Sequence, residues 1–181
     1  MFEKISLEGA QSGLSWLTIL RKRNAYRRVF SDFDVDKVAA MTDEDVERIV
    51  NEEDKENPTN LVVRHRGKIQ SVINNAKCIQ ELSQKHSDDN YFDTLLWSFV
   101  DDKPILNTTW KGSLSDATTQ TKESQAMSKA LKKLGFRFVG PTTMLAMMQS
   151  VGMVIDHPVD SPEWKVARER LERRPNGYQE R

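Results

Sequence analysis

Cysteine is almost absent from the sequence. Cys78 is the single one among 181 residues, which excludes an intramolecular disulfide and is compatible with a reducing compartment. Long apolar runs are also absent, so the sequence does not predict a helical membrane span. The charged residues Glu3 and Lys4 interrupt the N-terminal segment early, so the sequence does not predict a secretion signal either. We therefore expect an intracellular protein, cytoplasmic or nuclear, without a membrane partner.

The formal net charge is zero, because 27 basic residues balance 27 acidic ones. Such a chain does not bind nucleic acid by bulk charge, but a local patch can do so, since salt screens exposed charges beyond about 10 Å. The basic residues are indeed clustered over residues 21–28 and 122–137, and acidic residues dominate over residues 32–56. Each basic cluster is compatible with a solvated helix face or with a surface that contacts phosphates.

Strand patterns are scarce, since alternation of polar and apolar residues never extends far enough to build a sheet. Apolar residues recur instead at helical spacing, and 38% of the residues are hydrophobic, which suits one core of ordinary size. We therefore predict an all-α fold. Helices are predicted over residues 2–11, 14–30, 35–41, 61–84, 91–100, 123–134, 141–150 and 163–173, with a further helix that opens at Thr42.

The segment LEGAQSGLSW, residues 7–16, places the carboxylate of Glu8, two glycines and the indole of Trp16 within ten residues. A carboxylate and an aromatic ring joined by a short glycine-containing connection suit a flat, electron-poor ligand, because the ring stacks while the carboxylate accepts hydrogen bonds. On chemistry alone, the more ordinary interpretation is a pair of helices with a buried tryptophan and a surface glutamate.

This segment resembles the signature of the DNA-3-methyladenine glycosylase I family, which is close to LEGxQxGLSW. Four further segments resemble that family in the same order, within residues 26–34, 64–69, 97–100 and 128–140. The resemblance implies a helix-hairpin-helix DNA glycosylase-like helical bundle. It extends over residues 1–157, and we expect residues 158–181 to form a charged C-terminal tail and the polar insert at residues 51–60 to form a surface loop.

The resemblance also implies an activity in base-excision repair. The expected reaction is monofunctional hydrolysis of the N-glycosidic bond of 3-methyladenine in alkylated double-stranded DNA, which leaves an abasic site. Glu8 is then expected to be the catalytic residue, and Glu8 and Trp16 are expected to bind the base. Gly13 and Leu14 are expected to contact DNA by filling the gap left by the base. We expect the protein to act as a monomer.

A helix-hairpin-helix, which clamps the DNA backbone, is expected over residues 134–143. Gly140 permits close approach, and the free N–H groups at the start of the next helix can face a phosphate. The ordinary alternative is a helical turn that ends at a glycine. The expected DNA-binding residues of this region are Lys132, Lys133, Arg137, Gly140 and Thr142. Asp156 is a weaker candidate for a catalytic aspartate and is otherwise a turn or cap residue.

Members of this family carry a structural zinc, and the sequence matches one of its four ligands, His157. Ser161 stands at the position of the downstream cysteine, and the N-terminal ligand pair would precede Met1. We therefore expect no zinc and no other cofactor, and the N-terminal segment of the family is expected to be missing. Two alternatives stay open, namely a fragment or catalytically impaired DNA-binding protein and a helical interaction protein with solvated basic faces.

Overall fold

The computed structural model describes residues 1–113 and 117–181, and within them the chain is mainly helical. The predicted helical fold is confirmed. The helices are α1 (Phe2–Gln11), α2 (Trp16–Arg21), α3 (Arg23–Val29), α4 (Val35–Ala39), α5 (Asp43–Asn51), α6 (Arg66–His86), α7 (Tyr91–Ser98), α8 (Lys122–Lys133), α9 (Pro141–Ser150) and α10 (Pro162–Glu172). Two 3₁₀ turns lie at Ser31–Phe33 and Pro58–Asn60. Three strands of two residues each are β1 (Ile105–Leu106), β2 (Val154–Ile155) and β3 (Gln179–Glu180).

The chain is divided into two compact units, which are described separately. The first comprises residues 1–92 and 130–139, and the second comprises residues 93–129 and 140–181. This division does not follow the predicted boundary at residue 157.

Helix α6 is the centre of the first unit, and α1, α4 and α5 pack against it. Its apolar stripe, which includes Ile69, Val72 and Ala76, is buried. The helix begins at Arg66, later than the predicted start at residue 61, because the His65 imidazole accepts a hydrogen bond from the Lys68 amide and so caps the first turn. The apolar residues just before the cap, at 61 and 62, are buried without being helical.

The single helix predicted over residues 14–30 is wrong, because the structure divides this segment into α2 and α3. The break lies at Lys22, whose backbone has φ −94° and ψ 0°. The Lys22 ammonium donates to the carbonyls of Pro58 and Leu61, at 2.5 and 2.8 Å. The Lys22 side chain thus joins the break to a distant loop, whereas local spacing favours an unbroken helix.

The second unit contains the parallel three-stranded sheet, with β1 between β2 and β3. Residues 158–181 are charged, as predicted, but they contribute more than a tail. Trp164 and Leu171 of α10 form a buried cluster with Leu106 of β1. The Trp164 indole N–H donates to the Asn107 carbonyl at 2.7 Å. The end of the chain is thus part of the packing of this unit.

Candidate active site

Glu8 lies on α1 and is only 5% exposed, which does not fit the ordinary interpretation of this segment as one with a surface glutamate. The next residue, Gly9, explains how α1 packs here. A Cβ on Gly9 would lie 3.1 Å from Phe138 Cβ and 3.4 Å from the Phe138 carbonyl oxygen. Phe138 itself has a φ of +57°. The first glycine of the motif therefore allows the backbone of the glutamate-bearing helix to approach the turn at residues 136–138.

The connection between Glu8 and Trp16 leaves α1 at Ser12 and enters α2 at Ser15. Its middle projects into solvent. Gly13 has a φ of +76°, which favours glycine, and no atom lies within 4 Å of its Cβ position. Leu14 is 40% exposed. This placement is compatible with insertion of Gly13 and Leu14 into a duplex, which stays a prediction.

Trp16 is the first residue of α2 and is half-buried. The Ser15 hydroxyl caps this helix by accepting a hydrogen bond from the Thr18 amide at 3.2 Å. The Lys4 ammonium lies 5.6 Å from the centroid of the Trp16 ring, within the range of a cation–π contact. Lys4 and Glu8 are one turn apart on α1 and therefore share a helix face. The ring thus already attracts a cation, the charge expected of an alkylated purine.

Lys68 of α6 holds the end of α1. Its ammonium donates to the carbonyls of Ala10 and Ser12, at 2.8 and 2.6 Å. The side chain is buried, and this burial lowers the pKa of Lys68. Lys68 falls within the family-like segment at residues 64–69, but the sequence did not predict a role for its side chain.

The first half of the hairpin lies in the first unit and is held by two asparagines of α6. Asn74 donates to the Gly135 carbonyl at 2.8 Å. The Asn75 amide accepts from the Arg137 N–H at 2.9 Å and donates to the Arg137 carbonyl at 3.1 Å. Asn75 is 2% exposed, so this pair of bonds is shielded from water. The Arg137 side chain, like those of Lys132 and Lys133, is exposed.

The second half of the hairpin lies in the second unit. Gly140 is the N-cap of α9, with no side-chain hydrogen bond to the cap, and Pro141 is in the first turn. Thr142 is exposed. A helix start of this kind suits an anion, because its first N–H groups lack intrahelical partners. Binding of DNA by Gly140 and Thr142 stays a prediction.

Comparison with known proteins places these features in a family. The family model described as methyladenine glycosylase matches residues 1–164. This chain belongs to the methyladenine glycosylase family. It is 46% identical over 159 residues to DNA-3-methyladenine glycosylase 1 of Escherichia coli, covering 88% of this chain and 79% of that protein. It is 44% identical over 162 residues to DNA-3-methyladenine glycosylase of Haemophilus influenzae, covering 90% of this chain and 81% of that protein.

Solved structures agree with this assignment. A crystal structure of 3-methyladenine DNA glycosylase I superposes with a TM-score of 0.77 at 44% identity, covering 89% of this chain and 82% of that one. A structure of the Staphylococcus aureus enzyme, solved for 3-methyladenine recognition, gives a TM-score of 0.76 at 34% identity, covering 90% of this chain and 80% of that one. The resemblance inferred from the sequence motifs is thus confirmed.

Most basic side chains of the cluster at residues 21–28 already have partners within the protein. Arg23 and Arg27 pair with Glu3, at 2.7 and 2.9 Å. Hydrogen bonds, first from Arg27 and then from Arg23, lower the pKa of the Glu3 carboxyl to about 2. Arg28 pairs with Glu52 at 3.0 Å. These arginines hold the fold together and leave the residues near 132–137 as the more available cations.

Asp156, the weaker candidate for a catalytic aspartate, has hydrogen-bond partners within the protein. The Asp156 carboxylate accepts hydrogen bonds from Asn107, Gln149 and Arg181, at 3.1, 2.8 and 3.1 Å. These contacts favour the role of a turn residue over that of a catalytic base.

The residues present do not fit the structural zinc that the family resemblance implies. His157 is exposed, and the Ser161 hydroxyl caps α10 by accepting a bond from the Trp164 amide. Within the described residues, no group of three or more histidine, cysteine, aspartate or glutamate side chains could hold a metal ion. No step of the chemistry is therefore assigned to a metal.

No helix among the described residues is both long and apolar enough to cross a membrane.

Proposed function

We propose that this chain hydrolyses the N-glycosidic bond of 3-methyladenine in alkylated duplex DNA and leaves an abasic site. The buried carboxylate of Glu8 and the half-buried ring of Trp16, joined by a short connection in a member of this family, support the proposal most directly. Relatives named DNA-3-methyladenine glycosylase at 44–46% identity support the same substrate.

Glu8 acts on the flipped base. In DNA, 3-methyladenine carries a delocalised positive charge, so it leaves more readily than adenine. A carboxylate that is 5% exposed interacts with that charge more strongly than a surface group, because water screens it less. Glu8 also accepts hydrogen bonds from the base edge. Water adds to the sugar carbon and releases a proton to solvent, and the cationic base departs as a neutral molecule with the electrons of the glycosidic bond.

Trp16 selects the base by stacking. A cationic ring over an indole face is stabilised by about 0.5–2 kcal/mol. The Lys4 ammonium, 5.6 Å from the ring centroid, competes for this attraction. The lesion therefore binds by displacing Lys4 or by sharing the ring with it, and a neutral adenine gains less from the same stacking.

Contacts with DNA come from three places. Leu14, exposed at the tip of the connection, fills the gap left by the flipped base. The exposed side chains of Lys132, Lys133 and Arg137 pair with phosphates, and the start of α9 at Gly140 and Thr142 donates N–H groups to another phosphate.

The test is release of 3-methyladenine from methylated duplex DNA under single-turnover conditions. Glu8→Gln is expected to slow release by about 10²-fold, the usual effect of removing one electrostatic stabiliser. Trp16→Ala is expected to slow it by about tenfold. Glu81→Gln, which removes an exposed carboxylate from α6, is the matched control.

Release within twofold of the parent by both site variants would show that the assigned pocket is wrong. If the parent itself releases no base but binds DNA in a salt-dependent manner, the chain is a DNA-binding member without this activity.

A further inference from the structure

Lys68 is an unusual lysine because it is buried, with 7% of its surface exposed. Lysine is seldom buried without a charged partner. In the described part of the chain, its ammonium donates to two main-chain carbonyls, those of Ala10 and Ser12, rather than to a carboxylate. A desolvated cation in such a place requires a compensating contact, and these two short bonds supply it.

Both carbonyls lie where a helix has unmet hydrogen bonds. Ala10 is in the last turn of α1, and Ser12 is the residue that ends it. Carbonyls at the end of a helix lack intrahelical partners and carry partial negative charge, so a cation stabilises them. Residues 12–15 are all exposed, and within the described residues their other hydrogen bonds join positions no more than four apart in sequence. Lys68 is therefore the main tertiary anchor of this connection.

The anchored connection joins the two residues assigned to the base. Glu8 lies just before the anchored carbonyls on α1, and Trp16 begins α2 just after the connection. A shift of the connection changes the distance between carboxylate and ring. We propose that Lys68 is a positioning residue that fixes Glu8 and Trp16 so that both face one base. The inference rests on the function proposed above for these two residues.

Lys22 provides a matched control for a purely structural role. Its ammonium also donates to two main-chain carbonyls, at Pro58 and Leu61. Pro58 lies in the polar insert at residues 51–60 and Leu61 directly follows it, and neither belongs to the segment that carries Glu8 and Trp16. Replacing either lysine by methionine removes the ammonium and keeps a stem of similar length. Lys68→Arg keeps a cation that can donate to both carbonyls.

The experiment compares Lys68→Met, Lys68→Arg and Lys22→Met with the parent. We expect Lys68→Met to slow single-turnover release at saturating methylated DNA by at least about tenfold, since small displacements of catalytic groups are costly. Its affinity for undamaged duplex is expected to stay within twofold, because the cations assigned to phosphates, Lys132, Lys133 and Arg137, lie outside the anchored connection. Lys68→Arg recovers most of the rate, and Lys22→Met releases base at the parental rate.

Amide hydrogen exchange gives a second measurement that does not depend on activity. Lys68→Met is expected to speed exchange at residues 12–16 by at least about tenfold, whereas Lys22→Met leaves these residues unchanged. Unchanged exchange there overturns the proposal. So does release by Lys68→Met within twofold of the parent, or an equal loss of release in Lys22→Met. If the parent releases no base, the proposed function fails, and exchange at residues 12–16 alone decides whether Lys68 anchors the connection.

Discussion

Asn75 is expected to be the most sensitive polar residue of α6. Replacing it with alanine removes both of its hydrogen bonds to the Arg137 main chain, at 2.9 and 3.1 Å. Each bond contributes about 1 kcal/mol net, so the free energy of unfolding should fall by about 2 kcal/mol, or about 30-fold in the equilibrium constant. Because these bonds are shielded from water, the Arg137 main-chain groups left unpaired make about 2 kcal/mol a lower bound.

The matched control is the neighbouring Asn74→Ala. Asn74 is less buried and gives one main-chain bond, to the Gly135 carbonyl at 2.8 Å. Its loss is expected to cost about 0.5–1 kcal/mol. A second variant, Asn75→Asp, keeps the acceptor for the Arg137 N–H but turns a carboxylate oxygen toward the Arg137 carbonyl. It should cost at least as much as alanine.

Urea unfolding followed by circular dichroism measures all three variants, with the slope of the transition checked for constancy. If Asn75→Ala lies within 0.5 kcal/mol of the parent (about the error of such measurements), or costs no more than Asn74→Ala, the two bonds do not hold the turn as the geometry implies. Equal slopes with a large difference between the two alanine variants would support the assignment.

Three further outcomes are expected. Leu14→Ala should slow base release about tenfold from duplex DNA and much less from methylated single strands, because only a duplex has a gap to fill; equal losses on both substrates would exclude this role. Lys4→Met should lower the half-saturating concentration of methylated duplex about two- to fivefold by freeing the Trp16 ring, and a rise would contradict competition for that ring. The Glu3 carboxyl has a pKa of about 2 in the fold, below its ordinary 4.5, so the unfolded chain binds more protons and the stability from this pairing is lost as the pH falls from about 4.5 to 2. Glu3→Gln should therefore make the urea midpoint of unfolding depend less on pH over that range. A pH dependence equal to that of the parent would refute the pairing.

Local signals predicted the helices whose ends are set by their own residues. Helix α9 begins at Pro141 and ends at Ser150, as predicted, because proline fits the first helical turn. Helix α4 is likewise capped by the residue that precedes it, since the Asp34 carboxylate accepts a hydrogen bond from the Lys37 amide at 3.1 Å. The break at Lys22 could not be predicted, because the local spacing does not mark it and the contacts of its side chain are 36 and 39 residues away in sequence.

The residues of the site also divide into those that the sequence predicts and those that it does not. Glu8 and Trp16 belong to one short segment, so a motif could point to them. Their supports could not be found by periodicity, which assigns polar residues to the solvent side of a helix. Lys68 and Asn75 are 7% and 2% exposed, although they are polar residues and so do not belong to the apolar stripe of their helix. A buried polar side chain is stable only when its partners are satisfied, and here those partners are main-chain groups of other segments.

The balanced charge of the chain is the sum of two populations of basic residues with different roles. Arg23, Arg27 and Arg28 form ion pairs with carboxylates, and these pairs join α3 to its neighbours. Lys132 and Lys133 are exposed near the hairpin, and within the described residues they form no ion pair. The field near a phosphate depends on charges within about 10 Å rather than on the total. A neutral protein can therefore present a local cationic surface to DNA, because its acidic residues pair with arginines elsewhere and, within the described residues, leave Lys132 and Lys133 without an ion pair.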